Sequence, residues 1–193
     1  MKRLLLSVCV ITALLCIPFT FSSCDKIKDL VNPFDLYLKS KDIPITIPVS
    51  PAGHQQVYST LNFDIMSEIE KQNTSGFKIK PEHIGFAKIH KVSIDIVGGA
   101  TQQNNFANFV GATVIFASNA NSNTQAKVTV ADIPTIPDVY STHLDLNIFG
   151  TTDLKEYLFG TQFEYTYAYE LRRPITAPLQ AVIHVEYEID INP

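Results

Sequence analysis

Apolar and polar residues alternate with a period of two along most of the chain from residue 43 onward. In residues 183–191 every odd position is apolar, and the polar residues His184, Glu186, Glu188 and Asp190 fill the even positions. Successive side chains of a β-strand point to opposite faces, so this pattern predicts half-buried strands. Such segments recur with little helix between them. We therefore predict an all-β fold, an antiparallel β-sandwich of about eight strands with two or three short helices. A closed barrel is the alternative, and the long, proline-bearing connectors favour the sandwich.

Three segments carry more specific expectations about their place in the sandwich. Residues 43–49 alternate but contain Pro44 and Pro48, which indicates an edge strand or an extended lead-in. Residues 109–118 are apolar on both faces, which indicates a central strand. Tyr165, Tyr167 and Tyr169 share one face of a third strand and are predicted to belong to the core. A surface that stacks on sugar rings or lines a lipid pocket is the alternative for these tyrosines.

The first two dozen residues have a different character from the rest of the chain. Lys2 and Arg3 precede an apolar stretch over residues 4–21, and the small residues Ser22 and Ser23 follow it, directly before Cys24. A basic start, an apolar middle and small residues before a cleavage point are typical of an export signal. An uncleaved transmembrane helix or a plain secretory signal would be the alternatives.

Residues 21–24, Phe-Ser-Ser-Cys, resemble the lipobox of bacterial lipoproteins, although Phe21 stands where that family commonly has leucine. The resemblance covers 24 of 193 residues. It implies that residues 1–23 are a signal peptide that is removed, and that Cys24 carries diacylglycerol and an acylated amine. Palmitate-type chains on Cys24 would hold the protein firmly, because two or more acyl chains suffice for stable anchoring.

The resemblance also implies a location and a division of the chain. It is similar in signal and layout to the small uncharacterised outer-membrane lipoproteins of Gram-negative-type bacteria. We therefore expect a lipid-anchored envelope protein with a lipidated tether over residues 24–41 and a β-sandwich domain over residues 42–193. Ile27, Leu30, Val31 and Phe34 in the tether have helical spacing. They are expected to pack on the domain or to be loosely ordered, with an amphipathic piece against the lipid headgroups as the alternative.

Cysteine usage and charge exclude several function classes. The three cysteines are Cys9, Cys16 and Cys24, so a processed and lipidated chain would have no disulfide, no thiol nucleophile and no thiolate metal site. Removal of Lys2 and Arg3 with the signal would leave 13 cationic against 19 anionic residues, a net charge of −6. A nucleic-acid partner is therefore not expected, because binding phosphates requires clustered cations.

A polar row on the last strand is the strongest chemical candidate. His184 and Glu186 share its outward face, and His143 and Asp145 would join them if their strand lay alongside. Two imidazoles and several carboxylates could then converge on a divalent cation. The polar face of a half-buried sheet explains the same residues, and we prefer that interpretation. No metal, cofactor or catalytic residue is therefore predicted.

These observations predict a lipid-anchored binding or structural module without catalytic activity. Its contact surface is expected in the polar loops at residues 101–105 and 119–125, because loops on a rigid scaffold often bind partners. Another envelope protein or a glycan would be its partner, beside the membrane itself. One alternative is a subunit of a surface fibre that exchanges residues 43–49 between copies. A second alternative is a metal- or carboxylate-dependent hydrolase.

Overall fold

The computed structural model describes residues 33–74, 76–120 and 127–192, which form two antiparallel sheets packed around one core. The predicted all-β sandwich is confirmed. Sheet 1 contains β1 (Phe34–Lys39), β2 (Ile43–Ile47), β4 (Ile84–Gly98), β7 (His143–Asp145) and β10 (Leu179–Ile191). Sheet 2 contains β3 (Gly53–Asn62), β5 (Phe109–Ser118), β6 (Val128–Ile133), β8 (Asn147–Ile148) and β9 (Gln162–Leu171).

Strand order follows from the hydrophobic patterns. In sheet 1 the order is β1-β10-β4-β7, and in sheet 2 it is β3-β9-β5-β6-β8. The strand predicted to be central, β5, lies in the middle of sheet 2. Every inward residue of β10 is buried and every outward residue is at least partly accessible, as its regular alternation predicts.

One edge of sheet 1 is shared by β1 and β2. Both pair with β10 on the side opposite β4, β2 with its first half and β1 with its second. Ile43, Ile45 and Ile47 of β2 are buried, whereas Pro44 is exposed. The edge position predicted for this segment is confirmed. Proline is tolerated there because an outer edge has no ladder partner to lose.

The sandwich begins earlier in the chain than the sequence indicated. Residues 34–39, which we assigned to the tether, form β1 and pair with residues 186–191 of β10. Leu38 is fully buried, and Phe34 and Leu36 pack against the core. Their alternation was hidden because Phe34 also completes the helical spacing of the preceding residues. Cys24 and the rest of the predicted signal and tether lie outside the described residues.

Residues 139–149, with Tyr140, Leu144, Leu146 and Ile148 in one apolar register, have a pattern that predicts a single strand, and here too the structure differs. The chain instead changes sheets at Leu146, between β7 in sheet 1 and β8 in sheet 2. The backbone N–H of Leu146 donates to Val92 O in β4 at 3.1 Å, and that of Phe149 donates to Val130 O in β6 at 3.1 Å. One continuous alternating pattern therefore contains strands of two different sheets. Local periodicity cannot show where a chain passes from one sheet to the other.

The described residues contain two short α-helices. Glu68, Glu70 and Lys71 predict a short surface helix over residues 67–73. The structure has α1 (Ile65–Gln72) there, and the Asp64 carboxylate caps its first turn by accepting from Ser67 N at 3.1 Å. The second, α2 (Lys155–Leu158), is a single turn. Asp153 accepts there from Lys155 N at 2.9 Å and from Ala87 N of β4 at 3.2 Å. Within the described ranges, no helix has the length and apolar character needed to cross a membrane.

The tyrosine stripe of β9 lies in the core, as predicted. Tyr165 and Tyr167 are fully buried, and Tyr169 is 3% exposed. The hydroxyl of Tyr165 meets that of Tyr187 from β10, which joins the two sheets by a hydrogen bond. Burial raises the pKa of both phenols, so both stay protonated and one hydroxyl donates to the other. The Tyr167 hydroxyl has no partner among the described residues.

This contrast predicts opposite effects of removing single hydroxyls. Tyr165→Phe should lower the free energy of unfolding by about 1–3 kcal/mol, because the Tyr187 hydroxyl would remain buried and unpaired. Tyr167→Phe is the matched control, since it removes a hydroxyl that is already unpaired, and it should leave stability unchanged or raise it. Urea unfolding monitored by circular dichroism measures both. Equal losses in the two variants would contradict the assignment.

Candidate functional site

The residues singled out by the sequence meet on the outer face of sheet 1. His184 Nε2 lies 3.2 Å from Asp95 Oδ2, and His143 Nδ1 lies 2.7 Å from the other oxygen of the same carboxylate. Asp95 therefore bridges the two imidazoles across β10, β4 and β7. The row extends to Asp145 Oδ2, 3.2 Å from His143 Nε2, and to Asp42 Oδ1, 3.2 Å from His184 Nδ1.

The charges in this row stabilise one another. The hydrogen bond to Asp95 raises the pKa of His143 above its ordinary value, and the Asp145 carboxylate adds to this. In return, the hydrogen bond from His143 lowers the pKa of Asp145, with a smaller contribution from Lys91, whose Nζ is 3.5 Å away. Opposite charges a few ångströms apart favour the charged forms of both partners. The imidazolium of His143 is thus held between two carboxylates.

The arrangement differs from the convergent metal cluster considered for these residues. His143, Asp145 and His184 are brought together, but in a line in which each ring nitrogen faces a carboxylate. Glu186 lies two residues along β10, beside a shallow pocket of about 250 Å³. Across residues 33–74, 76–120 and 127–192, no three His, Cys, Asp or Glu side chains are placed to hold a metal ion. Asp95 and Asp42, which complete the row, come from strand neighbours that the sequence does not specify.

Glu188 makes two further contacts with basic side chains on this face. Glu188 accepts from Lys88 Nζ at 2.8 Å and lies 3.1 Å from His90 Nδ1. These contacts, led by the hydrogen bond from Lys88, lower the pKa of Glu188. Cross-strand pairs of opposite charge of this kind stabilise a sheet. The outer face of sheet 1 therefore satisfies most of its own polar groups, as the solvated face of a sheet does.

The predicted contact loop at residues 101–105 is largely turned inward. Asn104 and Asn105 are 4% and 1% exposed. The Asn105 amide donates to Thr101 O at 2.8 Å, and its oxygen accepts from Ala107 N at 2.8 Å. Asn104 accepts from Thr176 N at 2.7 Å. These amides pair the backbone of the loop, so residues 101–103 are its exposed part. Most of the other loop, residues 121–125, lies outside the described residues.

A concave surface that the sequence analysis did not identify lies on the outer face of sheet 2. It is an open trough of about 650 Å³ that crosses β3, β9, β5 and β6. The strand register places His54 opposite Glu170, Gln56 opposite Ala168 and Thr113 opposite Asp132. The two central strands contribute the small residues Ala168, Gly111 and Thr113 beside the longer Glu170, so the surface is hollow between its flanking strands.

The hollow depends on Gly111. It lies at a bulge in β5, where a Cβ atom would be 2.8 Å from Pro134 O and 2.9 Å from Ile133 O. Only glycine lets the end of β6 approach so closely. The Arg172 guanidinium fixes the same corner by donating to Phe109 O at 2.7 Å and to Ile136 O. The trough is therefore built on a rigid rim.

The polar side chains of the trough have no partners of their own. Those of His54, Gln56, Asp132 and Glu170 make no hydrogen bond or ion pair with any other described side chain or backbone group. Asp132 and Glu170 are half-buried, and no Lys or Arg lines the trough. Partly accessible carboxylates without protein partners keep their acceptor oxygens available to water or to a ligand. The arrangement is suited to hydrogen-bonding a ligand across a wide, shallow surface.

One sequence signal could have indicated this surface. Gly111 interrupts a strand that is otherwise apolar on both faces, and an isolated strand glycine often marks a bulge or a close backbone approach. The four polar residues around it come from three strands distant in sequence. Their proximity depends on the β3-β9-β5-β6 order, which alternation alone does not provide.

Comparisons with known proteins add little to this geometry. No protein-family model matches the chain, and no curated protein has a matching sequence. A solved structure titled Desmodium yellow mottle tymovirus is similar over 83% of this chain and 89% of its own, at 12% identity and a TM-score of 0.28. One titled turnip yellow mosaic virus covers 84% of each chain, at 12% identity and a TM-score of 0.28. Likeness at this level supports no conclusion about function.

The paired state of His143 predicts a pH dependence of stability. Because its pKa is higher in the folded chain, protonated His143 stabilises the fold fully below its unfolded pKa of about 6.5. This contribution is lost as the pH rises through the folded-state pKa. Thermal unfolding from about pH 5.5 to about pH 9 should therefore show a midpoint that falls more steeply in the wild type than in His143→Gln.

Direct observation of the imidazole gives a second readout. In Asp95→Asn the main cause of the shift is removed, so the titration of His143 followed by NMR should move to lower pH. Parallel stability curves for wild type and His143→Gln, together with an unchanged titration in Asp95→Asn, would contradict the assigned pairing.

Proposed function

We propose that this protein is a lipid-anchored binding module of the bacterial cell envelope, without catalytic activity, which holds a neutral glycan in the trough of sheet 2. The observation that carries the proposal is the set of four polar side chains that face a hollow surface without partners of their own. A concave surface with a few convergent polar groups is the usual form of a ligand site.

The charge of the trough favours this class of ligand. Asp132 and Glu170 are acceptors when ionised, and Gln56 offers both a donor and an acceptor. Sugar hydroxyls donate and accept, so they can pair with all three groups. An anionic ligand would meet two carboxylates without a lining Lys or Arg, which disfavours it. The volume of about 650 Å³ lies within the ordinary range for ligand sites.

The positions of the carboxylates favour binding over hydrolysis. Asp132 is on β6 and Glu170 on β9, and β5 lies between these strands. Two strand spacings, about 9.6 Å, and an offset of two positions along the strands separate their backbones, because Asp132 lies across Thr113 from Ala168 and not from Glu170. A retaining glycosidase needs its carboxyl groups about 5–5.5 Å apart. The alternative of a carboxylate-dependent hydrolase would thus require the wider carboxylate spacing of an inverting enzyme.

The other alternative, fibre assembly by exchange of residues 43–49, stays a prediction. In the described structure β2 is paired with β10 of its own chain, and its three isoleucines fill their own core. Exchange would first have to remove them from that core, which costs buried apolar area in each copy. No feature of β2 favours that step over the closed arrangement.

The anchor rests on the sequence around Cys24. A basic start, an apolar stretch and small residues directly before a cysteine support lipidation. Nine residues lie between Cys24 and Phe34, the first residue of β1, which gives a reach of at most about 35 Å when fully extended. A lipidated Cys24 would therefore keep the sandwich near the bilayer surface.

The trough predicts a specific loss of glycan binding. Neutral oligosaccharides from a glycan array, followed by calorimetry, should include a ligand whose affinity falls about 10-fold or more in Asp132→Asn and in Glu170→Gln. Each change weakens a hydrogen bond to a charged group, which contributes about 1.5–3 kcal/mol.

Glu186→Gln is the matched control for that experiment. It alters a half-buried outward carboxylate on the opposite sheet, and it should bind as the wild type does. A ligand bound equally by all three variants, or no glycan retained at millimolar concentration, would overturn the trough assignment. Release of shortened oligosaccharides would instead support the hydrolase alternative.

The anchor has a separate test. Cells grown with labelled palmitate should incorporate label into the wild type and into Cys16→Ser, but not into Cys24→Ser, because only Cys24 follows the cleavage point. Cys24→Ser should also leave the membrane fraction after washing. Label that persists in Cys24→Ser would refute the predicted lipidation.

A further inference from the structure

Three of the four sheet edges in the described structure are protected against pairing with another strand. The edge made by β1 and β2 is interrupted at residues 40–42 and carries Pro44 and the charged residues Asp35 and Lys39. The edge strands β7 and β8 have three and two residues. Short strands, prolines and charges are the usual means by which proteins prevent edge-to-edge association.

The fourth edge, β3, has none of these features. Its ten residues, Gly53–Asn62, contain no proline, Asp, Glu, Lys or Arg, and they pair with β9 in an unbroken register without a bulge. Its solvent-facing side chains include Tyr58, which is 75% exposed. By strand geometry β3 is about 34 Å long. A long, regular and uncharged edge is a surface on which another strand can pair.

The backbone of this edge is available for pairing. All ten residues of β3 face β9 on one side, and no other described residue makes a backbone hydrogen bond to residues 53–62. In an antiparallel pair, alternate residues direct both their N–H and C=O groups away from the neighbour. Those groups require a partner, either water or a further strand.

We propose that this edge pairs with β3 of a second copy of the chain, antiparallel and about a two-fold axis near Tyr58, so that sheet 2 runs continuously through a dimer. Pairing centred on Val57 or on Tyr58 places solvent-facing residues opposite solvent-facing ones and half-buried residues opposite half-buried ones. It brings no like charges together, although each whole chain has a net charge of −4. Two copies of β3 thus match in length, in which residues face solvent, and in having no opposed like charges.

The pairing goes beyond the proposed glycan site and does not depend on it. His54 and Gln56 belong to β3 and form one wall of the trough. In the dimer the outer faces of the two sheets lie on the same side, because the axis is perpendicular to them. The two troughs would then be adjacent, and an extended ligand could contact both. A protein that binds no glycan could still form the dimer, and a monomeric protein could still bind a glycan.

Disulfide trapping in the native membrane tests the contact. Opposite residues of an antiparallel pair have Cα atoms about 4.5–5.5 Å apart, within reach of a disulfide. Tyr58→Cys traps the register centred on Tyr58, and Gln56→Cys combined with Tyr58→Cys traps the register centred on Val57. Oxidation of the full-length protein in membranes should give a covalent dimer from at least one of these variants. Tyr140→Cys, which alters a tyrosine 48% exposed elsewhere, is the matched control and should not cross-link.

Sizing of the full chain in mild detergent gives the second measurement. The wild type should be a dimer by sedimentation equilibrium, and Tyr58→Lys should raise its dissociation constant at least 10-fold by placing like charges across the axis. Tyr140→Lys should have no effect. If Tyr58→Lys fails to fold, as judged by circular dichroism, Thr60→Lys, which is also solvent-facing, replaces it. The proposal would be overturned if the wild type stays monomeric, or if neither Tyr58→Lys nor Thr60→Lys changes the dissociation constant of the dimer. Cross-linking of the Tyr58→Cys variant to a different protein would also overturn it.

Discussion

The packing of β9 against β10 is the interaction on which the rest of the structure depends. These two strands lie in different sheets, each flanked by neighbours on both edges, and their inward residues meet in the core. The Tyr165–Tyr187 hydroxyl pair is the point at which the two layers are joined by a hydrogen bond as well as by apolar contact. The described residues contain no cysteine, so burial of apolar and aromatic side chains holds the sheets together.

A core built in this way leaves the two outer faces free to differ. On sheet 1, cross-strand neighbours carry opposite charges, and contacts such as Lys88–Glu188 and His143–Asp95 neutralise the face within the molecule. On sheet 2, Glu164 pairs with Lys127 at 2.7 Å. Asp132 lies opposite Thr113, and Glu170 lies opposite Gly111 and His54. Neither of these two carboxylates makes an ion pair with another described residue. Sheet 1 thus pairs most of the charged side chains on its outer face, whereas Asp132 and Glu170 of sheet 2 are available to the proposed ligand. This difference, rather than the presence of histidines, is the reason for proposing the trough as the ligand site.

The edges differ in the same way as the faces. Interruption, proline and charge restrict pairing along β1 and β2, and brevity restricts it at β7 and β8. By contrast, β3 combines a regular open edge with one wall of the trough. Binding and association would therefore both use sheet 2, while sheet 1 serves the fold. A single strand that takes part in both would couple ligand contact to the arrangement of two copies.

The sequence by itself determined which residues face inward, because a period of two reflects local strand geometry and needs no knowledge of neighbours. It therefore predicted the sandwich, the core position of Tyr165 and the edge position of residues 43–47. It did not reveal that Phe34 begins a strand, since one residue fitted two periodicities. Only the tertiary structure decided that Asp95 joins His143 to His184, and that Asp132 and Glu170 share a trough. Strand order and the bulge at Gly111 set those neighbours, and both arise from pairing between segments far apart in the chain.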